Sequence, residues 1–176
     1  NWSYPAMSSD GQYQTATDNE GTFGGIFTSY DYGVTWTKRD TAKGQYSVDM
    51  SSDGKYQSAT TNNGQIYTSP DYGVPWTAQD SNRSWRKIAV SANGRYQAVA
   101  VSGGTVYVSI DYGDNWTATS TSTGYSVALS ASGKYLTAFD NGGYIYTSAM
   151  SSYLALGQLG IGTTSPNHFL DIEGGY

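Results

Sequence analysis

The 176-residue chain has no cysteine and a single histidine, His168. Disulfides, thiolate metal centres, histidine-based catalytic triads and multi-histidine metal sites are thereby excluded, and no cofactor or metal is expected. Basic residues are also few. Nine Lys and Arg against fourteen Asp and Glu leave a net charge of -5, and the nine form no stripe that could follow a phosphate backbone, so no nucleic-acid partner is expected. No apolar run approaches the roughly 20 residues that cross a bilayer, so membrane insertion is not expected. Strong helix formers are scarce, whereas Gly, Ser, Thr and Tyr are abundant, which points to an all-β chain.

An eight-residue phrase recurs in this background: Ser29-Tyr-Asp31-Tyr-Gly33-Val-Thr-Trp36, Ser69-Pro-Asp71-Tyr-Gly73-Val-Pro-Trp76 and Ser109-Ile-Asp111-Tyr-Gly113-Asp-Asn-Trp116. The three aspartates are 40 residues apart, the spacing of a supersecondary unit that buries an apolar face against its copies. A second marker gives four copies: Asp10-Gly11-Gln-Tyr13, Asp53-Gly54-Lys-Tyr56, Asn93-Gly94-Arg-Tyr96 and Ser132-Gly133-Lys-Tyr135. Asp-Gly and Asn-Gly favour tight hairpin turns, so each marker joins an inner strand A, such as the segment around Val48 and Met50, to a strand B. Strand B ends at Asn62-Asn63-Gly64, Gly103-Gly104 or Asn141-Gly142-Gly143 and returns as strand C. The Asp phrase then leads to strand D at the Trp.

The expected fold is therefore four four-stranded antiparallel meanders arranged around an axis, β-propeller-like, either closing with four units or forming an open arc completed by another chain. Residues 1–153 make the repeat domain and 154–176 a tail. The first unit carries an insertion at residues 20–24, and the fourth departs from the pattern after Ser148. The start at Asn1-Trp2, without an initiator Met or signal peptide, is read as that of a mature or excised piece.

Within the Asp phrase, the carboxylate suits acceptance of backbone N–H bonds, Gly supplies an unusual φ, and Trp covers the loop. The phrase resembles the Asp-box, or bacterial neuraminidase repeat, of propellers that include sialidases, xyloglucanases, sortilin-type receptors and a photosystem assembly factor. The resemblance implies a structural role on the outer part of each blade for Ser29, Asp31, Gly33, Trp36, Ser69, Asp71, Gly73, Trp76, Ser109, Asp111, Gly113 and Trp116. It does not choose among those activities.

Catalytic residues are not expected. A sialidase-like site needs converging arginines with a Tyr/Glu nucleophile pair, but Arg39, Arg83, Arg86 and Arg95 are non-equivalent and the only glutamates are Glu20 and Glu173. A two-carboxylate glycosidase needs facing acids. Outside the turns the candidates are Asp18, Asp40, Asp49, Asp80 and Asp140, and Asp49 stands where other units have Ala6, Ala89 and Ala128. It reads as a solvated or hydrogen-bonded polar residue on an inner strand.

In an up-and-down meander the A–B and C–D turns share one edge, and the D–A and B–C loops share the other. There Trp2, Tyr46, Trp85 and Tyr125 precede the A strands, and Asn62, Asn63 and Asn141 lie in the B–C loops. Aromatic faces beside amides suit a sugar ring, and the same aromatics could instead wedge blades apart. Asn1, Asn82 and Asn115 begin glycosylation sequons, which matter only where the source glycosylates proteins.

In the tail, Gly160-Ile-Gly-Thr-Thr-Ser-Pro166 followed by Leu170-Asp-Ile172 resembles the connector ahead of an intramolecular chaperone in phage and large-virus tail fibres; a flexible linker is the alternative. The resemblance implies a virion-surface or extracellular, non-enzymatic fibre protein. Its expected partners are a cell-surface glycan or receptor and other virion proteins, and the segment from Leu156 to Ile172 is expected to assemble it as a homotrimer. The alternatives are a fragment of a carbohydrate-active propeller hydrolase and a purely structural spacer or assembly-factor module.

Overall fold

The computed structural model describes residues 2–18, 24–40, 45–119, 124–139 and 145–149, and every regular element among them is a β-strand. The first unit is a four-stranded meander of β1 (Trp2–Met7), β2 (Gln14–Asp18), β3 (Gly25–Ser29) and β4 (Thr37–Asp40), hydrogen-bonded in that order. The fourth comprises β11 (Ser126–Leu129), β12 (Tyr135–Phe139) and β13 (Ile145–Ala149). Its D position, Asn141 and the tail lie outside the described residues, as do positions 20–23 of the first-unit insertion.

Units two and three share one six-stranded sheet made of β5 (Gln45–Met50), β6 (Gln57–Ser69), β7 (Thr77–Val90), β8 (Gln97–Val101), β9 (Val106–Ser109) and β10 (Thr117–Ala118). The sequence predicts separate B and C strands, but β6 runs through both, passing Asn63 at φ +59°. β7 likewise carries strand D of unit two and strand A of unit three, pairing first with β6 and then with β8. The bridges Asn62↔Ser84 and Gly64↔Arg83 join the two units at this edge.

Each A–B turn is closed by a serine whose N–H donates to the tyrosine carbonyl five residues on: Ser8 to Tyr13, Ser51 to Tyr56, Ser91 to Tyr96 and Ser130 to Tyr135, at 2.8–2.9 Å. Neighbouring turns are tied by one backbone bond per junction, from Ser9 to Ser52, Ser52 to Ala92 and Ala92 to Ala131, each 2.8 Å. The inner strands β1, β5, the second half of β7 and β11 pack side by side in chain order.

Burial between units follows one rule. A branched aliphatic residue of strand C in one unit enters a hollow on the next. Ile26 packs with Ala59, Tyr67 and Trp76. Ile66 packs with Trp85, Val99, Tyr107 and Trp116, and Val106 with Ala138 and Tyr146. All three aliphatic residues are fully buried. Two junctions add a buried hydrogen bond between strands B: Thr15 Oγ1 donates to Gln57 Oε1, and Ser58 Oγ to Gln97 Oε1, both at 2.6 Å. At the third junction Ala98 and Leu136 occupy these positions and join the apolar cluster instead.

Candidate functional site

The three Asp phrases form loops on the edge that carries the A–B turns. Tyr32, Tyr72 and Tyr112 donate their N–H groups to Gln12, Lys55 and Arg95 of those turns. In the first loop, Asp31 accepts from the Ser29 hydroxyl (2.8 Å), the Thr35 N–H (2.8 Å) and the Thr35 hydroxyl (2.6 Å), and Trp36 Nε1 donates to the Gly33 carbonyl. The third repeats this with Ser109, Asn115 and Trp116. In the second, Pro75 has no N–H and no side-chain donor. Among the described residues no hydrogen bond reaches the Asp71 carboxylate, and Trp76 Nε1 has no partner. Gly33, Gly73 and Gly113 take φ of +85° to +90°, which a side chain would strain.

The bonds to Asp31 have an acid-stability consequence. Thr35, through its side chain and then its backbone, together with Ser29, holds the Asp31 carboxyl down to about 2, from an ordinary value of 3.8. Asp10 is lowered by Ser8 and Gln12. At Asp53 and Asp111 partial burial opposes the shift, but hydrogen bonds from Ser51 and Lys55, and from Asn115 and Ser109, outweigh it. A folded-state value below the unfolded one stabilises above the unfolded value and is lost as pH falls through the folded one. Stability is therefore expected to fall between pH about 4 and 2, and Asp31→Ala to flatten that slope, as read by denaturant titrations across the range.

The opposite edge holds the D–A and B–C connections, and the strand register there sorts the four predicted aromatics into two classes. Trp2 and Trp85 lie six residues before the turn serines Ser8 and Ser91, whereas Tyr46 and Tyr125 lie five before Ser51 and Ser130. A one-residue offset on a strand turns a side chain to the other face. Trp85 is accordingly 0% exposed, edge-on to Tyr107 at 5.2 Å and packed on Ile66. It offers no face to a ligand, which corrects the expectation that it stacks on one. Trp2 holds the same ladder position, paired with Asp18 as Trp85 is with Val101. It lies edge-on to Phe27 at 5.1 Å on the exposed flank of the first unit.

Tyr46 and Tyr125 instead converge, and two cations join them. The Arg86 guanidinium lies 5.0 Å from the Tyr46 ring centre and 5.6 Å from that of Tyr125. Lys87 Nζ is 5.2 Å from the ring centre of Tyr4, which is itself 5.6 Å from Tyr46. Tyr46 and then burial push the Tyr4 hydroxyl above its ordinary value. Arg86 Nη2 donates to Ser102 Oγ at 3.1 Å, and its Nε has no partner among the described residues. The cluster thus gathers inner-strand residues from all four units, and Arg86, Lys87 and Tyr4 join it without having been singled out in the sequence.

Asn62 and Asn63 are exposed on the same edge, where Asn63 Oδ1 accepts from the Ser84 hydroxyl at 2.6 Å. Asp49 lies three residues beyond Tyr46 on β5. Its two oxygens accept from Met50 N (2.9 Å) and from Val90 N of the next unit (2.8 Å). Loss of solvent raises its carboxyl, against the pull of these N–H groups and Lys87.

No protein-family model and no curated protein matches the chain. Solved structures do. The GH74 enzyme of Niastella koreensis is 19% identical with a TM-score of 0.63, over 82% of this chain and 22% of that one. YCF48 bound to D1 peptide is 20% identical with a TM-score of 0.61, over 84% and 51%. The Cps50 (Swd1) β-propeller domain of Myceliophteria thermophila is 14% identical with a TM-score of 0.64, over 85% and 52%. At such identities the likeness carries the fold alone: four antiparallel meander units of a β-propeller. The chain spans about half the length of the last two structures and about a fifth of the first.

Proposed function

We propose that the chain is a non-catalytic propeller module of a virion-surface or fibre protein, and that its inner-strand edge binds an acidic glycan. The observation that carries the ligand class is Arg86 set between Tyr46 and Tyr125, with Lys87 beside Tyr4. A guanidinium fork fits a carboxylate in two-point contact. The neighbouring rings offer flat apolar faces to a sugar, and their hydroxyls bond its polar rim. The non-catalytic reading is supported by Asp49, the acid beside the cluster, whose two oxygens are both engaged by backbone N–H groups. The fibre setting is supported by the tail sequence.

A glycan array on the full chain tests this, with carboxylated sugars expected to bind and their neutral counterparts not. Arg86→Gln is expected to weaken binding roughly 10- to 100-fold, the worth of a charged hydrogen-bond pair. Selection of neutral sugars alone would remove the acidic assignment. Turnover of a sialoside or β-glucan that disappears in Asp49→Asn would make the chain a hydrolase.

A further inference from the structure

We propose that the exposed flanks of the first and fourth units are the two halves of the junction already used between units, and that each is covered by a second copy of this chain, head to tail, closing one ring from two chains. In the interior, Ile66 fills the hollow of Trp85, Val99, Tyr107 and Trp116. The first unit presents the same hollow from equivalent positions, Trp2, Ala16, Phe27 and Trp36, lining an open cleft of about 370 Å³. Trp2 and Phe27 keep the edge-on arrangement of Trp85 and Tyr107. Trp2 is nevertheless 66% exposed. The fourth unit presents the matching aliphatic residue, Ile145, at the position of Ile26, Ile66 and Val106, and Ile145 is 59% exposed.

The other parts of the junction are also divided between the two ends. Inside the chain, Tyr72 stacks on Tyr13 at 4.5 Å and Tyr112 on Tyr56 at 4.4 Å. Of the equivalents with no such partner among the described residues, Tyr96 packs against the apolar cluster of the third junction, whereas Tyr32 on the first unit is 65% exposed and Tyr135 on the fourth 55% exposed. Gly54, Gly94 and Gly133 lie against Tyr13, Tyr56 and Tyr96, but a Cβ on Gly11 would meet nothing within 4 Å.

The polar pair shows that the two ends match each other. Where the fourth unit replaces the junction glutamine with Leu136, the third replaces its hydroxyl donor with Ala98. At the free ends both polar halves remain: Gln14 on the first unit and Thr137 on the fourth. Two copies are the smallest closed arrangement, joined at two identical head-to-tail seams that leave neither flank open.

Light scattering on the full chain tests the seam. At ~1 mM, where even a Kd of that size places about half of the chains in dimers, the weight-average mass is expected to rise well above 18.9 kDa toward twice that value. Ile145→Arg and Trp2→Arg replace exposed side chains, so each is expected to keep the wild-type circular dichroism spectrum and to run as a monomer alone. Mixed in equal amounts they retain one intact hollow and one intact Ile145, and the mixture is expected to form a heterodimer. A monomeric wild type overturns the proposal, as do association that survives either substitution and a mixture that stays monomeric. A threefold mass unaffected by both substitutions assigns assembly to the tail and equally overturns it.

Discussion

Trp85→Ala is expected to lower the unfolding midpoint by on the order of 10 °C. Truncating a buried Trp costs roughly 3–5 kcal/mol through lost transfer energy and the cavity left behind. For a chain of this size each kcal/mol moves the midpoint by about 2–4 °C. The indole is fully buried between units two and three, against Ile66, Ile88 and Val99, so the collapse of one junction accompanies its loss. Trp2→Ala is the control, since Trp2 occupies the same ladder position but is 66% exposed. In dilute solution its cost is expected to stay within about 0.5 kcal/mol, the range of surface substitutions. Equal losses at the two positions in thermal scans would mean that the junction does not govern Trp85.

That pair of tryptophans shows what the sequence could and could not convey. The repeat was legible because its signals are local: hairpin glycines, a loop whose carboxylate bonds residues two to four positions away, and alternating apolar residues between them. The edge that gathers the inner-strand starts was legible from topology alone. The face each aromatic takes was not, because it depends on a one-residue offset and on irregular register between Trp85 and Ile88 and between Gln45 and Ser47. In the sequence Arg86 stands only as one of four non-equivalent arginines, and Lys87 carries no signal of its own. They serve the cluster because rings from other units reach them, a relation between residues some 40 to 80 apart in sequence. Counting equivalent positions back from the turn serines would have separated Tyr46 and Tyr125 from Trp2 and Trp85. It would also have set Arg86 in register with the two tyrosines.

Gly94→Ala is expected to cost about 2–5 kcal/mol, in contrast to about 1–2 kcal/mol for Gly11→Ala. Both glycines sit at the same turn position with nearly the same backbone, φ +78° and +77°. Left-handed geometry alone costs an L-residue roughly 1–2 kcal/mol, and this is common to the two. The difference lies across the junction. A Cβ on Gly94 would stand 2.5 Å from Tyr56 Cβ, whereas one on Gly11 meets nothing. Tyr56 cannot yield, because Tyr112 of the next loop stacks on it at 4.4 Å, and overpacking of this kind adds about 1–3 kcal/mol. Denaturant titrations of the two variants in dilute solution measure the gap; equal costs would show that backbone strain, and not the tyrosine beneath it, selects glycine at these turns. In a head-to-tail ring Gly11 faces Tyr135 of the second copy as Gly94 faces Tyr56. The same Gly11→Ala substitution is then expected to abolish the doubled mass while leaving the single chain folded.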